Sequence, residues 1–471
     1  MFLRALFKNF RPVNMANIFR TYYKHCLHCT FLLTIILTCQ YILIAKEASA
    51  IDPWVEYGYT GTLFLYLSRL TTLLSLPQIF FNFCGLVFYN AFKGPVKLQG
   101  SPLTAPFICI RVVTRGDYPE LVKMNVMRNF DICRNAQLKN FMIQVVTDKE
   151  LGIDEQVQIK EVVVPTSYRP KSGAMFKARA LQYCLDGSVG NYLSDSDWIV
   201  HLDEETLLTP NSVRGILNFV MEGRHQFGQG LITYTNGSVV NWLTTSADNF
   251  RVAEDMGKVR FQFKCFHKPL FCWKGSYVVA QVGAEKKVSF DNGPEGSVAE
   301  DGFFAIKAYQ DGFSFDFIEG EMWEKSPFTI MDFIQQRKRW IQGILLVVHS
   351  KKLSFRYKIF VSLSCYAWAV MPLTTIGAIL RIFYPTPWSY HLEALFVAIL
   401  SVYVYLYIFG VLKTFTTNHF GVFKTVVFLF MTILAIPINA VMENIAVIWG
   451  LLGNKLTFYI VKKDANTCIT V

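Results

Sequence analysis

The chain has 471 residues, of which 52% are hydrophobic and only 17% are charged, and its formal net charge is +11. A soluble domain is typically about 25% charged, and here the apolar residues come in long blocks, so the composition excludes a purely soluble protein. No arginine-rich stretch with interleaved aromatic residues occurs; the positive charge therefore indicates anchoring at membrane lipid, and no nucleic-acid partner is expected.

The N-terminal part of the chain predicts two membrane spans. Residues 1–25 are basic and contain no acid, which indicates a cytosolic tail. Residues 26–92 hold two apolar runs, Cys26–Ala45 and about Leu70–Tyr89, joined by a short acidic loop predicted to be lumenal. Arg69, at the edge of the second run, is expected to snorkel to the interface. Everything after the second run is therefore predicted to face the cytosol.

A short histidine–cysteine cluster opens the first apolar run. Cys26 and Cys29 form a CxxC pair, with His25 and His28 beside them. A zinc site of the usual kind needs a second ligand pair at a suitable spacing, and none follows in the sequence. The cysteines are therefore predicted to be thiols at the membrane edge, with palmitoylation as the alternative.

Residues 100–350 predict one α/β domain that ends in an interfacial amphipathic helix. Short apolar runs alternate with helical patterns, which is typical of a mostly parallel sheet covered by helices on both faces. The predicted strands are Pro106–Thr114, Phe141–Thr147, Ile159–Val164 and Trp198–Leu202. The predicted helices include Lys171–Cys184 and Asn211–Glu222.

The chain returns to the membrane after this domain. Residues 355–453 predict about three membrane segments, followed by a tail at 454–471. Ile359–Leu380 and Ala394–Leu412 are expected to be simple spans. The last segment, Thr425–Leu452, contains Pro437 and the acidic Glu443, so the number of crossings there and the side of the C-terminus stay open.

Acidic residues directly follow the predicted strand Trp198–Leu202. Ligands of open α/β sheets lie beyond the carboxyl ends of the strands, and Asp203 and Glu205 are at such an end. Two carboxylates two positions apart in an extended segment point the same way and can hold a hard cation, Mg²⁺ or Mn²⁺, which would bridge a diphosphate. Glu204 should point away. The pair Asp195-Ser-Asp197 precedes the strand and is discounted as the metal site.

Other strand ends carry candidate ligand-binding residues. Thr114 and Arg115 lie at the end of the first strand, and Asp148 lies at the end of the second. These positions suit contacts to a nucleotide base and ribose, although capping of the following turn is the alternative. Lys171 is predicted to reach phosphate, whereas Arg179 is predicted to lie on a solvated helix face.

Two later elements predict acid–base and anion-binding chemistry. Asp301 can accept a proton from an attacking hydroxyl, and Glu300 can orient that base or the acceptor; an acidic helix N-terminus is the alternative. In the basic amphipathic stretch that follows, Gln336 and Arg339 can bind an acceptor or a departing diphosphate, and Trp340 can present its face to a sugar ring. A plain interfacial helix is the alternative.

With these residues placed, the chain resembles the inverting glycosyltransferases of family 2, which have the GT-A fold. More narrowly, it is similar to the invertebrate β-1,4-mannosyltransferases of glycosphingolipid synthesis. The resemblance lies in strings that include His201-Leu-Asp-Glu-Glu-Thr206, Trp273-Lys-Gly-Ser-Tyr277, Ser297-Val-Ala-Glu-Asp301 and Gln335-Gln-Arg-Lys-Arg-Trp340. Two departures stand out: Glu205 replaces the usual second aspartate, and Ala299 replaces a commoner threonine before the base.

The resemblance implies transfer of mannose from GDP-mannose to glucosylceramide, with a divalent cation, at the cytosolic face of an ER or Golgi membrane. It also implies an inverting displacement with Asp301 as the base. The alternative enzyme is a family 2 transferase that uses another donor, UDP-glucose or UDP-GlcNAc, with a lipid or polysaccharide acceptor. The non-enzymatic alternative, a transporter or scaffold, rests on Glu443 as an acid inside a membrane segment.

Overall fold

The structure is a computed structural model that describes residues 15–44, 51–154, 156–186, 192–235, 239–271, 273–454 and residue 459. Most of the predicted tails, 1–25 and 454–471, therefore lie outside the described residues. The division of the chain into the predicted domains stays a prediction, whereas the bounds of individual helices and strands are set out below.

The centre of the chain forms one seven-stranded, mostly parallel sheet. Its strands are β1 (Ile108–Thr114), β2 (Phe141–Thr147), β3 (Ile159–Val163), β4 (Trp198–Asp203), β5 (Phe227–Thr233), β6 (Val278–Gln281) and β7 (Phe315–Trp323). Their order is β3-β2-β1-β4-β6-β5-β7, and β6 runs antiparallel to both of its neighbours. The predicted fold class, a mostly parallel α/β sheet with apolar helices at both ends of the chain, is confirmed.

The carboxyl ends of the parallel strands meet at one edge of the sheet. Thr114 of β1 pairs in register with Thr147 of β2, and Val113 pairs with Asp203 of β4. Every residue of β1 is buried, as expected for a parallel strand with helices on both faces. This edge is where the candidate site lies.

Helices α4–α10 belong to the sheet domain, and they cover the sheet or connect its strands. Their bounds are α4 Pro119–Asn135, α5 Phe176–Tyr183, α6 Pro210–Glu222, α7 Trp242–Glu254, α8 Val282–Val288, α9 Glu300–Gln310 and α10 Ile330–His349. Helix α6 begins at Pro210, one residue before the predicted Asn211, because Thr209 caps it and forms a capping box with Ser212 in its first turn. The predicted helix Lys171–Cys184 was too long: Gly173 adopts φ +81° and Met175 is extended, so the helix begins only at Phe176.

The remaining helices are long and apolar. They are α1 Met15–Ile44, α2 Gly58–Leu70, α3 Leu76–Phe88, α11 Phe355–Ala369, α12 Met371–Phe383, α13 Tyr390–Thr414 and α14 Thr417–Leu452. Within the described residues, four stretches are long and apolar enough to cross a membrane, or five if α11 and α12 form one span. Helices α2 and α3 count together as one of these stretches, because the helical turn Thr71–Ser75 joins them.

The second span differs from the prediction. It runs from Gly58 to Phe88, so Arg69 lies inside it and not at its edge. Arg69 does not snorkel: its guanidinium donates two hydrogen bonds of 2.8 and 2.7 Å to the buried carboxylate of Glu393 at the start of α13. Arg381 of α12 donates to the same carboxylate at 2.9 Å. Three distant segments are therefore joined by one carboxylate.

The C-terminal spans also depart from the sequence pattern. The predicted simple span Ile359–Leu380 is two helices, α11 and α12, bent by 52°. Pro372 lies in the first turn of α12, where a proline without an N–H is tolerated. By contrast, α14 continues through Pro437, and its break in helical geometry falls at Gly421, with φ 75°.

The sheet domain is fixed directly to the membrane helices. Arg260, fully buried, donates hydrogen bonds to the carbonyls of Gly85, Tyr89 and Asn90 at the end of α3, at 3.0–3.1 Å. Those carbonyls lack helical partners, so the guanidinium caps the helix. A Cβ on Gly85 would lie 2.0 Å from the carbonyl oxygen of Gly257. The backbone segments around these two residues therefore approach so closely that only glycine fits at position 85.

Candidate active site

One large cavity begins at the carboxyl edge of the sheet and continues between the membrane helices. Its volume is about 1690 Å³. Ten of the predicted site residues line it: Thr114, Arg115, Asp148, Asp203, Glu205, Glu300, Asp301, Gln336, Arg339 and Trp340. Its far end is lined by Leu400, Tyr403 and Ile436 of α13 and α14. Lys171 is exposed and does not line the cavity, because it lies in the turn before α5.

Lys177 lies at the centre of the acidic part of the cavity. Its ammonium is 2.5 Å from Asp203 Oδ1 and 4.0 Å from Glu300 Oε1, and it donates to the carbonyl of Gly275 at 2.9 Å. Burial alone would lower the pKa of Lys177, but the carboxylates of Asp203 and Glu300 raise it above its ordinary value. The ammonium is therefore a permanent positive charge between the acids. The sequence analysis did not identify this residue.

The Glu204 side chain joins two strand ends, as its predicted orientation away from Asp203 and Glu205 suggests. Thr114 Oγ1 donates a hydrogen bond to its carboxylate, and the amide of Gly116 donates to Thr114 Oγ1 at 2.9 Å. Asn125 donates to the Glu204 carbonyl at 2.9 Å. Glu204 and Thr114 thus hold the ends of β1 and β4 in place at the cavity wall.

A third acid, Glu324, faces Asp203 and Glu205 from the end of β7. Thr206 Oγ1 donates to Glu324 Oε1 at 2.6 Å. Burial, and then the negative charges of Glu205 and Asp203, raise the pKa of Glu324 to about 7. Glu324 was not predicted as a site residue because β7 itself was not predicted; its signal is an acid directly after a strand, as at Asp203.

These acids fit a hard divalent cation. Carboxylate oxygens are the ligands that Mg²⁺ and Mn²⁺ prefer, and the charges that raise the pKa of Glu324 would be offset by a cation. Among the described residues, the cavity acids do not bring three ligand atoms to a single point. Mg²⁺ commonly takes one or two carboxylates and completes its shell with phosphate oxygens and water. Asp203 and Glu205 would be those carboxylates. Asp195 lies on the surface instead, paired with Lys286 at 3.0 Å.

Glu300 and Asp301 begin helix α9 opposite the turn at Gly275. A Cβ on Gly275 would lie 3.3 Å from Lys177 Nζ, 3.4 Å from Asp301 Oδ2 and 3.6 Å from Glu300 Oε1, so the three charged groups converge there. Burial, and then the charge of Asp301, raise the pKa of Glu300 to about 7. Burial also raises the pKa of Asp301, against the opposing effects of a hydrogen bond from the Gly302 amide and the charge of Lys177. Raised carboxyl pKa values suit a general base.

Arg179 adds a second basic side chain to the lining of the cavity. Its guanidinium is 2.8 Å from Asp148 Oδ1 and donates to the carbonyl of Pro165 at 2.6 Å. The prediction of a solvated helix face for Arg179 was therefore wrong. Arg115 is exposed and lies 3.4 Å from Asp117, at the same rim of the cavity.

Helix α10 places the Gln-x-x-Arg-Trp residues along the cavity. The guanidinium carbons of Arg251 and Arg337 each lie 4.2 Å from the centroid of the Trp340 ring, so the indole contacts two cations. Arg339 faces the acids; burial lowers its pKa, against the opposing charges of Glu300 and Asp203.

Glu443, an acid within the apolar helix α14, is not isolated. Arg337 donates to Glu443 at 2.9 Å and to the buried Asp248 at 2.6 Å. This network ties α14 to α10 and α7, so Glu443 has a structural partner inside the transferase domain.

Comparison with known proteins decides the family. The family model described as glycosyl transferase family group 2 matches residues 198–442, from β4 into α14. The chain belongs to this family of glycosyltransferases. It is therefore an enzyme of the glycosyltransferase class, and the resemblance found in the sequence is confirmed.

Two relatives of this glycosyltransferase match over almost their whole length. The β-1,4-mannosyltransferase egh of Drosophila melanogaster is 58% identical over 95% of this chain and 99% of that protein. The β-1,4-mannosyltransferase bre-3 of Caenorhabditis elegans is 52% identical over 94% of this chain and 99% of that protein. Among solved structures, a mannosyltransferase of Pyrobaculum calidifontis, in complex with GDP-Man and Mn²⁺, matches with a TM-score of 0.46 and 11% identity over 72% of this chain and 97% of that chain.

Proposed function

We propose that the chain is an inverting β-1,4-mannosyltransferase that transfers mannose from GDP-mannose to the glucose of glucosylceramide, in glycosphingolipid synthesis. The relatives named β-1,4-mannosyltransferases support the sugar and the linkage, because they match nearly the full chain. The observation that carries the acceptor class is the cavity, which joins the acids at the sheet edge to the membrane helices.

The membrane part of the cavity suits a lipid acceptor. Leu400, Tyr403, Ile436 and Ile382 line it from three helices, and they offer apolar and aromatic surface. Glu300 and Asp301 line the other end of the same cavity. A glycolipid could therefore keep its chains among the helices and present its sugar hydroxyl to the acids.

Different polar side chains of the cavity are proposed to transfer the proton, to orient the acceptor and to bind the diphosphate. Asp301 takes the proton from the attacking hydroxyl, and Glu300 orients that hydroxyl, as the acceptor displaces the nucleotide diphosphate from the opposite face of the sugar carbon. Lys177 holds Asp203 and Glu300 in position by its charge. Arg339 pairs with the departing diphosphate, because a guanidinium forms short, strong contacts with phosphate oxygens.

A divalent cation, Mg²⁺ or Mn²⁺, completes this proposal. Asp203 and Glu205 would hold it, with Glu324 close by, and when bound it offsets negative charge on the leaving diphosphate. Thr114, Arg115 and Asp148 lie on the side of the cavity proposed for the nucleotide. Lys171 was proposed for the phosphate, but its exposed position makes Arg179 and Lys177 the better candidates there.

The proposal includes the location of the enzyme. The basic N-terminal tail and the acidic first loop support a cytosolic transferase domain under the positive-inside rule, in a multi-pass protein of the ER or Golgi membrane. GDP-mannose would then be drawn from the cytosol.

A donor and acceptor screen tests the proposed reaction. Purified full-length protein is given labelled GDP-mannose, UDP-glucose or UDP-GlcNAc with glucosylceramide in detergent, and the linkage of any product is determined. We expect a β-1,4-linked mannosyl product from GDP-mannose. A product from a UDP-sugar alone would favour the alternative donors, and transfer to a soluble sugar with equal efficiency would remove the argument for a lipid acceptor.

A further inference from the structure

A second polar cluster lies outside the cavity, at the first turns of the first span. His25, His28 and Cys29 are spaced three and four positions apart, which places them on one face of α1. His28 Nε2 is 3.0 Å from His25 Nδ1 and 3.5 Å from Cys29 Sγ, and His25 Nδ1 is 4.0 Å from that sulfur. Each residue offers one ligand atom within 4.8 Å of the other two, and none of the three residues lines the catalytic cavity.

Hydrogen bonds on the far side of each ring fix which nitrogens carry protons. Tyr405 donates its hydroxyl proton to the His28 carbonyl at 2.9 Å, so its oxygen accepts from His28 Nδ1, also at 2.9 Å. His25 Nε2 donates to the carbonyl of Val87 at 3.1 Å. The two remaining nitrogens, His25 Nδ1 and His28 Nε2, therefore both carry lone pairs.

Two lone pairs facing each other at 3.0 Å repel unless a cation lies between them. The thiol of Cys29 can donate only one proton, to one nitrogen, and the other lone pair stays unmatched. A metal ion satisfies both nitrogens and the sulfur together. The outer hydrogen bonds to Val87 and Tyr405 have the pattern of metal-bound histidines, whose second N–H is held by a carbonyl or another oxygen.

We propose that His25, His28 and Cys29 bind one Zn²⁺ ion at the edge of the membrane. Tetrahedral Zn²⁺ with its usual bond lengths separates two nitrogens by about 3.3 Å and a nitrogen from a sulfur by about 3.6 Å. The distances of 3.0 and 3.5 Å are close to these values. The third, 4.0 Å, is longer, and Cys29 Sγ lies 3.8 Å from His25 Nε2, so the His25 ring must turn its Nδ1 toward the sulfur when the ion binds. Two imidazoles and a thiolate suit Zn²⁺ and not the hard cation of the catalytic acids. A water molecule would complete the four ligands.

The site joins three parts of the membrane domain. His25 and His28 are on α1, Val87 is at the end of α3, and Tyr405 is on α13. The outer nitrogens of His25 and His28 already contact α3 and α13. By fixing both imidazole rings, the zinc would hold α1 against these two helices. The site is therefore structural, at a distance from the transferase chemistry.

Cobalt spectroscopy on the full-length protein in detergent tests the site. Co²⁺ bound to a thiolate gives a charge-transfer band in the near ultraviolet, which the oxygen ligands of the catalytic acids cannot produce. We expect a band that saturates at one equivalent of Co²⁺, is lost in Cys29→Ser and is retained in Cys26→Ser. Cys26 is the matched control, because it lies in the same CxxC and is exposed. Absence of the band from the unchanged protein, or its persistence in Cys29→Ser, overturns the proposal.

Zinc content gives a second, independent measurement. After dialysis against Zn²⁺ and then against Mg²⁺ alone, the unchanged protein should retain one zinc per chain by elemental analysis, and Cys29→Ser should lose at least about tenfold in zinc affinity. Gel filtration and residual transferase activity confirm that the variant is folded. If the folded, unchanged protein retains no zinc, the two imidazoles share a proton instead and the proposal fails.

Discussion

The ammonium of Lys177 lies 2.5 Å from a carboxylate oxygen of Asp203, and it also faces Glu300 at 4.0 Å. One cation thus links the acid proposed to hold a metal with the acids proposed to handle the proton. Its charge lowers the pKa of both Glu300 and Asp301 against the effect of burial. The arrangement makes the pH dependence of the enzyme sensitive to this one side chain.

We expect Lys177→Met to shift the acid limb of the kcat/KM profile to higher pH. Removing the positive charge raises the pKa of Glu300 and Asp301 further, so the base is protonated, and activity is lost, at a higher pH than in the unchanged enzyme. The loss at pH 6 should be about tenfold or more. Lys177→Arg keeps the charge and should leave the limb near its original position; equal shifts in both variants would contradict the electrostatic explanation.

Asp301→Asn should lower turnover by about 10²–10⁴-fold while sparing donor binding, because it removes a proton acceptor at constant size. Calorimetry with GDP-mannose and single-turnover rates separate the two effects. Asp311→Asn, at the exposed end of the same helix, is the control. A variant that keeps more than about a tenth of the original turnover would remove Asp301 from the role of base.

Asp203→Ala and Glu205→Ala should each weaken donor binding and turnover, because each removes one proposed cation ligand. Asp195→Ala should do neither, since Asp195 pairs with Lys286 at the surface. Chelation should abolish transfer, and Mg²⁺ or Mn²⁺, but not Zn²⁺ alone, should restore it. Full activity in excess chelator, with bound metal excluded by elemental analysis, would count against the cation.

Glu393→Ala should destabilise the packing of the apolar helices by about 3–5 kcal/mol, because it leaves the buried Arg69 and the partly exposed Arg381 without their shared carboxylate. The free energy of unfolding in detergent, or the thermal midpoint, measures this effect. Glu56→Ala, an exposed acid near the first loop, should cost little. A small effect at both positions would show that water or detergent reaches the ion cluster.

The sequon Asn236-Gly-Ser238 should stay unmodified in cells if the transferase domain faces the cytosol. These residues lie outside the described part of the chain, directly after Thr235, which follows β5. Glycosidase treatment should leave the electrophoretic mobility of the protein unchanged. A mobility shift that disappears in Asn236→Gln would place the domain in the lumen and reverse the proposed orientation.

The half of the sheet that contains β1, β2 and β4 could be predicted from sequence because each of these strands is mostly apolar. The other half could not. Strand β5 contains Gly228 and Gly230, which are unfavourable in strands, and β6 has only four residues. A Cβ on Gly230 would lie 2.1 Å from the Tyr277 ring, so the glycine is required by a residue far away in sequence.

The residues of the candidate site also fall into those that could be predicted from sequence and those that could not. Asp203, Asp148 and Thr114 could be predicted as site residues because each lies at the carboxyl end of a recognisable strand. Lys177 and the Arg337–Glu443 pair depend on contacts between segments far apart in the chain, and no local pattern indicates them. Glu324 directly follows a strand, but that strand, β7, was not predicted. The Arg69–Glu393 pair, separated by 324 positions, shows why the sequence predicted a snorkelling side chain where the fold has a buried ion cluster.

The cavity is continuous from the sheet edge into the helices. For a lipid acceptor, the concentration that determines the rate is therefore its concentration within the bilayer. Such an acceptor arrives by lateral diffusion in one leaflet, whereas the sugar nucleotide arrives from the aqueous phase. The rate should then follow the mole fraction of acceptor among the surrounding lipids, not its amount per volume. Diluting acceptor with inert phospholipid should slow the reaction at constant total acceptor, and the bilayer itself becomes the second substrate reservoir of the enzyme.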